Sequence, residues 1–146
     1  MEVQKITLTT EELHLLLTIN AITEFNKEQS GNIPAGGIGE VIVSNAIMES
    51  EDFDKLSDKL LELDLIDKDC FISALGCEYL SNFAEDLKRK EKDKNATCKI
   101  NFSNIDFKSL AEKLSETAKK INWSKAFDIV YKGVSIIATL RKILTA

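Results

Sequence analysis

The chain has 146 residues, of which 44% are hydrophobic and 29% are charged, and its formal net charge is −5. This length and composition are typical of one globular domain, or of one small domain with a helical extension. No uncharged run approaches the roughly 18 apolar residues that a membrane span needs.

The two parts of the chain carry opposite charge. Residues 1–85 contain 17 acidic and 5 basic side chains, a balance of −12. Residues 86–146 contain 7 acidic and 14 basic side chains, a balance of +7. Because summed charge steers binding partners, this polarity bears directly on what the protein can bind.

The N-terminal part of the sequence predicts helices joined by turns. Thr9 and Glu12 have capping-box spacing and open a first helix through "EELHLLLTINAITEFNKEQ", whose wide apolar face predicts extensive burial. The Gly/Pro stretch "SGNIPAGGIGE" predicts a turn between helices, since it lacks the Gly-Lys-Ser/Thr ending of a phosphate loop. A short second helix is predicted in "GEVIVSNAIME".

A helix, a ribbon and another helix are predicted next. Apolar residues at steps of three and four predict a third helix in "DFDKLSDKLLELDL", capped by Ser50 or Asp52. "LIDKDCFIS" has apolar residues on both sides of Asp67-Lys68-Asp69, which indicates a tight two-strand ribbon. A fourth helix is expected to begin near Ser73.

The C-terminal part predicts two further helices. "KRKEKDKNAT" has no apolar side chain larger than Ala and indicates a helix end or a solvated linker. Ser103 and Asp106 resemble a capping box before "DFKSLAEKLSETAKKI".

"WSKAFDIVYKGVSIIATLRKIL" predicts a last helix that is apolar over roughly two-thirds of its circumference, more than a single apolar stripe. This surplus indicates dimerisation through Trp123, Phe127, Val130, Val134, Ile137 and Leu140. Packing of the same helix within its own chain, or on a membrane surface, is the alternative.

The segment "LLELDLI…FISALGCEYL" resembles the winged helix-turn-helix superfamily, and the resemblance covers residues 8–87. Leu65-Ile66 match the usual exit from the recognition helix of that superfamily. The superfamily's sequence pattern "Leu-Thr-x-x-Gly-x-x-Tyr-Leu" is matched by Ile72-Ser73, Gly76 and Tyr79-Leu80. Asp64 departs from this pattern because a glycine is common there, and the wing at 67–70 is very short.

The expected architecture is mainly α with a small β-wing. A winged-helix-like domain occupies residues 1–87, a charged linker residues 88–102, and a C-terminal helical hairpin residues 103–146.

The third helix and the turn after it are too acidic for a DNA-binding helix. Residues 49–69 contain nine carboxylates against three lysines, and DNA binding needs cations against phosphates. We therefore expect an acidic face around Asp54, Asp58 and Glu62 to bind a protein with a basic surface; a merely solvated face is the alternative. If DNA is bound, the contacts are expected from Lys55, Lys59, Lys68, Lys88, Arg89 and Lys90.

The sequence contains no pattern of catalytic or metal-binding residues. The single histidine, His14, lies on an apolar helix and is expected to be partly exposed, and the three cysteines lack CxxC spacing. We therefore expect neither enzymatic activity nor a cofactor. The absence of a secretory signal in "MEVQKITLTTEEL" favours the cytoplasm.

Together these patterns predict a non-enzymatic regulatory protein-interaction module, acting as a homodimer. The alternative is a dimeric DNA-binding transcriptional regulator.

Overall fold

The computed structural model describes residues 3–28, 37–121 and 129–145. Over these ranges the fold is mainly helical, with one small antiparallel sheet. After a 3-10 turn at Val3–Lys5, the elements in chain order are α1 (Thr10–Glu28), α2 (Gly37–Ser44), α3 (Ser50–Glu62), α4 (Ala74–Lys92), α5 (Phe107–Lys120), β1 (Val130–Tyr131), β2 (Val134–Ser135) and α6 (Ile136–Thr145).

The first helix is the centre of the core. Every residue from Glu12 to Ile22 is buried, which confirms the expected burial and explains why this helix lacks a polar face. It packs against α3 on one side and α5 on another, and α6 packs against both α4 and α5. The helices after residue 100 therefore share one core with the helices before it.

Local capping signals determine where two helices begin. The backbone N–H of Thr9 donates to Oε1 of Glu12 at 2.8 Å, and the N–H of Glu12 donates to Oγ1 of Thr9 at 3.2 Å. This is the reciprocal capping box that the sequence predicted. Ser73 caps α4 by accepting from the N–H of Gly76 at 3.0 Å, again as predicted.

Two other predicted caps are wrong. Neither Ser50 nor Asp52 caps α3, since both lie inside the helix and Glu49 occupies the cap position without a side-chain hydrogen bond. Asp106 itself caps α5, accepting from the N–H of Ser109 at 3.1 Å, so that Ser103 lies outside the helix start.

In place of the predicted two-strand ribbon, the structure has a single antiparallel bridge between Ile66 and Ile72. The Asp67 side chain stabilises the turn, since its Oδ1 accepts from the N–H groups of Asp69 and Phe71 at 2.9 and 3.0 Å. Asp64 adopts a φ of 60°, a left-handed conformation that glycine and aspartate tolerate better than most residues. Its presence where a glycine is common therefore has a simple conformational reason.

The predicted long last helix is wrong. Lys132 and Gly133 have φ values of 50° and 77°, and they join β1 to β2 in a tight hairpin before α6 begins at Ile136. Two consecutive positive φ angles are what a two-residue hairpin turn requires, and a helix cannot pass through them. The hairpin is fixed to α4 by the Tyr131 hydroxyl, which donates to the carbonyl oxygen of Cys77 at 2.8 Å.

The segment predicted as a linker is tied to the core. Its first residues, 88–92, are the end of α4. Farther along, Ile100 is buried and Phe102 packs against the core. The buried Asp86 carboxylate accepts from the N–H groups of Lys99 at 3.0 Å and Ile100 at 2.8 Å.

Candidate interaction surface on α3

The periodicity of α3 separates a buried face from an acidic face. Phe53, Ser57 and Leu60 point into the core. Asp54 and Asp58 lie one turn apart on the exposed side, and Glu62 extends the row by another turn. We call Asp54, Asp58 and Glu62 the acidic stripe. In the described part of the chain, none of these three carboxylates forms an ion pair.

The turn after α3 extends the negative charge beyond the helix. Burial first, and then the charges of Asp67, Asp69 and Asp58, raise the pKa of the Cys70 thiol. A residue of the stripe and two residues of the turn thus both act on this thiol, and Asp67 and Asp69 are exposed. Leu61 borders the stripe and is 41% exposed.

The lysines of α3 lie directly beside the stripe. Asp58 follows Lys55 by three residues and Glu62 follows Lys59 by three, so each lysine neighbours a stripe carboxylate without forming an ion pair with it. Both lysines are exposed, and Lys55 lines a cleft between helices. Lys68 is exposed in the turn between Asp67 and Asp69. The structure therefore does not gather these three cations into one basic surface.

The predicted basic cluster on α4 is largely engaged inside the chain. The Arg89 guanidinium donates to the Asp86 carboxylate at 2.9 Å and lies 3.7 Å from Glu85. The Lys90 ammonium lies 6.0 Å from the ring centres of Phe102 and Phe107. Of these three possible DNA contacts, Lys88 is exposed, whereas Arg89 and Lys90 are half-buried.

Three of the six predicted dimerisation residues are buried in the core of a single chain. Ile137 and Leu140 have no exposed surface and Val134 is 7% exposed, because α6 and the hairpin pack against α4 and α5. Val130 is exposed, at 59%. Trp123 and Phe127 lie outside the described residues. The alternative of packing within the chain accounts for the three buried side chains.

A cleft that the sequence did not indicate lies between α1, α3 and α5 and has a volume of about 510 Å³. At its base, Nε2 of His14 lies 2.7 Å from Oγ1 of Thr117, and both side chains are buried. The expectation of a partly exposed His14 is therefore wrong. The Thr117 hydroxyl donates to the carbonyl oxygen of Lys113 at 2.8 Å, which leaves His14 to donate from Nε2.

Comparisons with known proteins give no family assignment: no family model matches the chain, and neither the curated proteins nor the solved structures contain a match. Within the described ranges, no helix has the length and apolar character to cross a membrane. The same residues include no group of three His, Cys, Asp or Glu side chains that could hold a metal ion.

Proposed function

We propose that this protein is a non-enzymatic regulatory module that binds a partner protein with a basic surface through the acidic stripe of α3. The observation that carries the proposal is the row of exposed carboxylates at Asp54, Asp58 and Glu62, which have no cationic partner among the described residues. Such a row gives electrostatic complementarity and a fast encounter with a cationic surface.

The apolar neighbour of the stripe supports a protein partner. Leu61 lies one helical turn from Asp58 and is 41% exposed. Interfaces combine a desolvated apolar centre with a charged rim, and Leu61 can supply an apolar contact beside the stripe. A partner with lysine or arginine side chains around an apolar pocket fits this arrangement.

A winged-helix-like domain and a cytoplasmic location are part of the same proposal. Support for the domain comes from the order α1–α2–α3, a bridge between Ile66 and Ile72, and then α4 capped by Ser73. The third helix is the one that carries the recognition surface in that architecture, and here the surface is acidic.

The test is affinity capture with three forms of the protein. The stripe variant carries Asp54→Asn, Asp58→Asn and Glu62→Gln. The control carries Glu78→Gln, Glu85→Gln and Glu112→Gln, which remove the same charge from exposed positions on α4 and α5. A partner that wild type and control retain, and that the stripe variant loses, supports the proposal.

The captured partner is then purified and its affinity measured at about 50 and 200 mM salt, the range over which screening becomes strong. We expect wild-type affinity to fall with salt and the stripe variant to bind weakly at both concentrations. Equal capture by all three forms contradicts the proposal.

Fluorescence anisotropy with random duplex DNA under the same conditions tests the DNA-binding alternative. Tight binding to duplex DNA that weakens with salt and is lost on neutralising Lys88 would instead favour a DNA-binding regulator.

A further inference from the structure

The cleft between α1, α3 and α5 has the dimensions of a small-molecule site. Its volume of about 510 Å³ lies within the usual range of roughly 300–1,000 Å³ for ligand pockets. The segment between α2 and α3 forms part of its wall, and Lys120 holds that segment in place by donating from Nζ to the carbonyl oxygen of Ala46 at 2.8 Å. The cleft is thus defined by contacts between distant parts of the chain.

Seven charged side chains line this cleft. The carboxylates are Glu11, Glu49, Asp52 and Glu116, and the ammonium groups are Lys55, Lys113 and Lys120. Across the residues that the structure describes, none of the seven takes part in an ion pair. Groups of both signs are therefore available to a ligand without the cost of breaking an existing pair.

The rest of the lining is apolar or neutral. Ile47, Met48 and Leu56 are half-buried and pack against the core. Burial first, and then the charges of Lys113 and Lys120, lower the pKa of His14 to about 4, so that its imidazole is neutral at pH 7. The half-buried apolar side chains of the lining therefore suit an apolar group, while its charged side chains suit charged ones.

The mixture of carboxylates, ammonium groups and apolar side chains in the cleft disfavours several ligand classes. Four carboxylates oppose a polyanion such as a nucleotide, and three ammonium groups oppose a polycation. A ligand with a single charge would contact lining groups of only one sign, six of the seven charged side chains being exposed. A compound that carries one positive and one negative group beside an apolar side chain can contact lining groups of both signs and the apolar residues.

We propose that this cleft binds a zwitterionic ligand with an apolar side chain, either a free α-amino acid or a short peptide. The ligand carboxylate contacts Lys113, its ammonium group contacts Glu116 or Asp52, and its side chain rests on Met48 and Leu56. The proposal is independent of the acidic stripe, whose three residues lie outside the lining of the cleft.

Calorimetric titration of the full chain tests the ligand class. The probes are L-leucine and leucyl-leucine, with N-acetyl-L-leucine and L-leucinamide as analogues that lack the ammonium and the carboxylate charge respectively. We expect at least one zwitterion to bind and each analogue to bind at least about tenfold more weakly, because charge-assisted hydrogen bonds are the strong ones. Comparison of the two zwitterions distinguishes a free amino acid from a peptide.

Lys113→Met tests the position of the ligand, since methionine keeps an apolar stem but removes the charge. We expect it to weaken binding about tenfold, whereas Lys119→Met, an exposed residue on the same helix outside the cleft, leaves the affinity unchanged. The single histidine gives a second readout, because a bound carboxylate beside Lys113 raises the pKa of His14, measurable in NMR titrations.

Three outcomes overturn the proposal. The first is that a zwitterion at millimolar concentration produces neither heat nor a shift of the His14 signal. The other two are that N-acetyl-L-leucine binds as tightly as the zwitterion, or that Lys113→Met leaves the binding unaltered.

Discussion

Nε2 of His14 lies 2.7 Å from Oγ1 of Thr117, although 103 positions separate the two residues along the chain. This buried hydrogen bond joins α1, the centre of the core, to α5, which the sequence placed in a separate C-terminal hairpin. Because the imidazole is neutral at pH 7, acidification would place a charge on this buried ring.

Acidification is expected to destabilise the protein through His14. The folded state holds the pKa of His14 at about 4, below its usual value of 6.5, so the unfolded chain binds the proton more tightly. The stabilising contribution of the neutral imidazole is thus complete above pH 6.5 and is lost as the pH falls towards 4. The loss is on the order of 3 kcal/mol over that window. Urea unfolding at several pH values measures it.

His14→Gln is the control for this pH dependence. Glutamine can donate to Thr117 but does not titrate, and all carboxylates remain in place. The stability of the variant should therefore depend less on pH between 6.5 and 4 than that of wild type. Parallel curves for the two proteins would show that His14 does not contribute.

The buried carboxylate of Asp86 is expected to be one of the main stabilising side chains outside the apolar core. It accepts from Lys99 N–H, Ile100 N–H and the Arg89 guanidinium, at 3.0, 2.8 and 2.9 Å. Asp86→Ala leaves the two backbone N–H groups without their acceptor and removes the shorter of the two Arg89 ion pairs, at a cost of about 3 kcal/mol. Denaturant unfolding followed by circular dichroism measures the change.

Glu85→Gln is the matched control for Asp86→Ala. Glu85 pairs with Lys99 at 3.0 Å, but it is exposed, and solvent screening leaves exposed ion pairs with little effect on stability. The neighbouring variant should therefore be nearly as stable as wild type. Equal losses from both substitutions would contradict the assigned role of Asp86.

The features that the sequence predicted correctly depend on short-range physics. The capping box of Thr9 and Glu12 and the cap at Ser73 involve residues three positions apart, so sequence spacing indicated them, although the same spacing at Ser103 and Asp106 forms no capping box. The exposed stripe of Asp54 and Asp58 likewise follows from the period of one helix.

The features that were missed depend on competing local signals or on distant contacts. Residues 129–135 fit a helical stripe, but they are also rich in β-branched and aromatic residues around Lys132-Gly133, and the turn prevails. The cleft requires Lys113 and Thr117 to meet His14, and no sequence pattern shows which helices pack together. The acidic partners of Arg89, Asp86 and Glu85, precede it by three and four residues, so helical spacing indicated these ion pairs. Counting net charge over the segment did not reveal them.

Gly76 is required for close packing of α4 against the turn after α3. A Cβ atom there would collide with the carbonyl oxygen of Leu65 and lie 2.7 Å from Cγ1 of Ile72. Because the first of these atoms is backbone, Gly76→Ala should cost about 1–3 kcal/mol, despite the higher helix propensity of alanine. Thermal unfolding measures the cost.

Cys77→Ala provides the comparison for Gly76→Ala, since Cys77 is the next residue on α4 and its side chain is exposed. Its effect should stay within about 0.5 kcal/mol. A stability gain from Gly76→Ala would show that the turn can move away from α4 at little cost.

Leu140 and Leu144 lie one turn apart on α6, and they should respond differently to truncation. Leu140 has no exposed surface, whereas Leu144 is 44% exposed. Leu140→Ala removes buried methyl groups and leaves a cavity, so it should cost about 2–5 kcal/mol. Leu144→Ala should cost less than about 1 kcal/mol, because little apolar area is lost from the core. Urea unfolding of both variants, with sedimentation of each, separates loss of stability from loss of association. If Leu140→Ala leaves stability intact but changes the sedimentation coefficient, α6 forms an interface between chains and does not fill the core of its own chain.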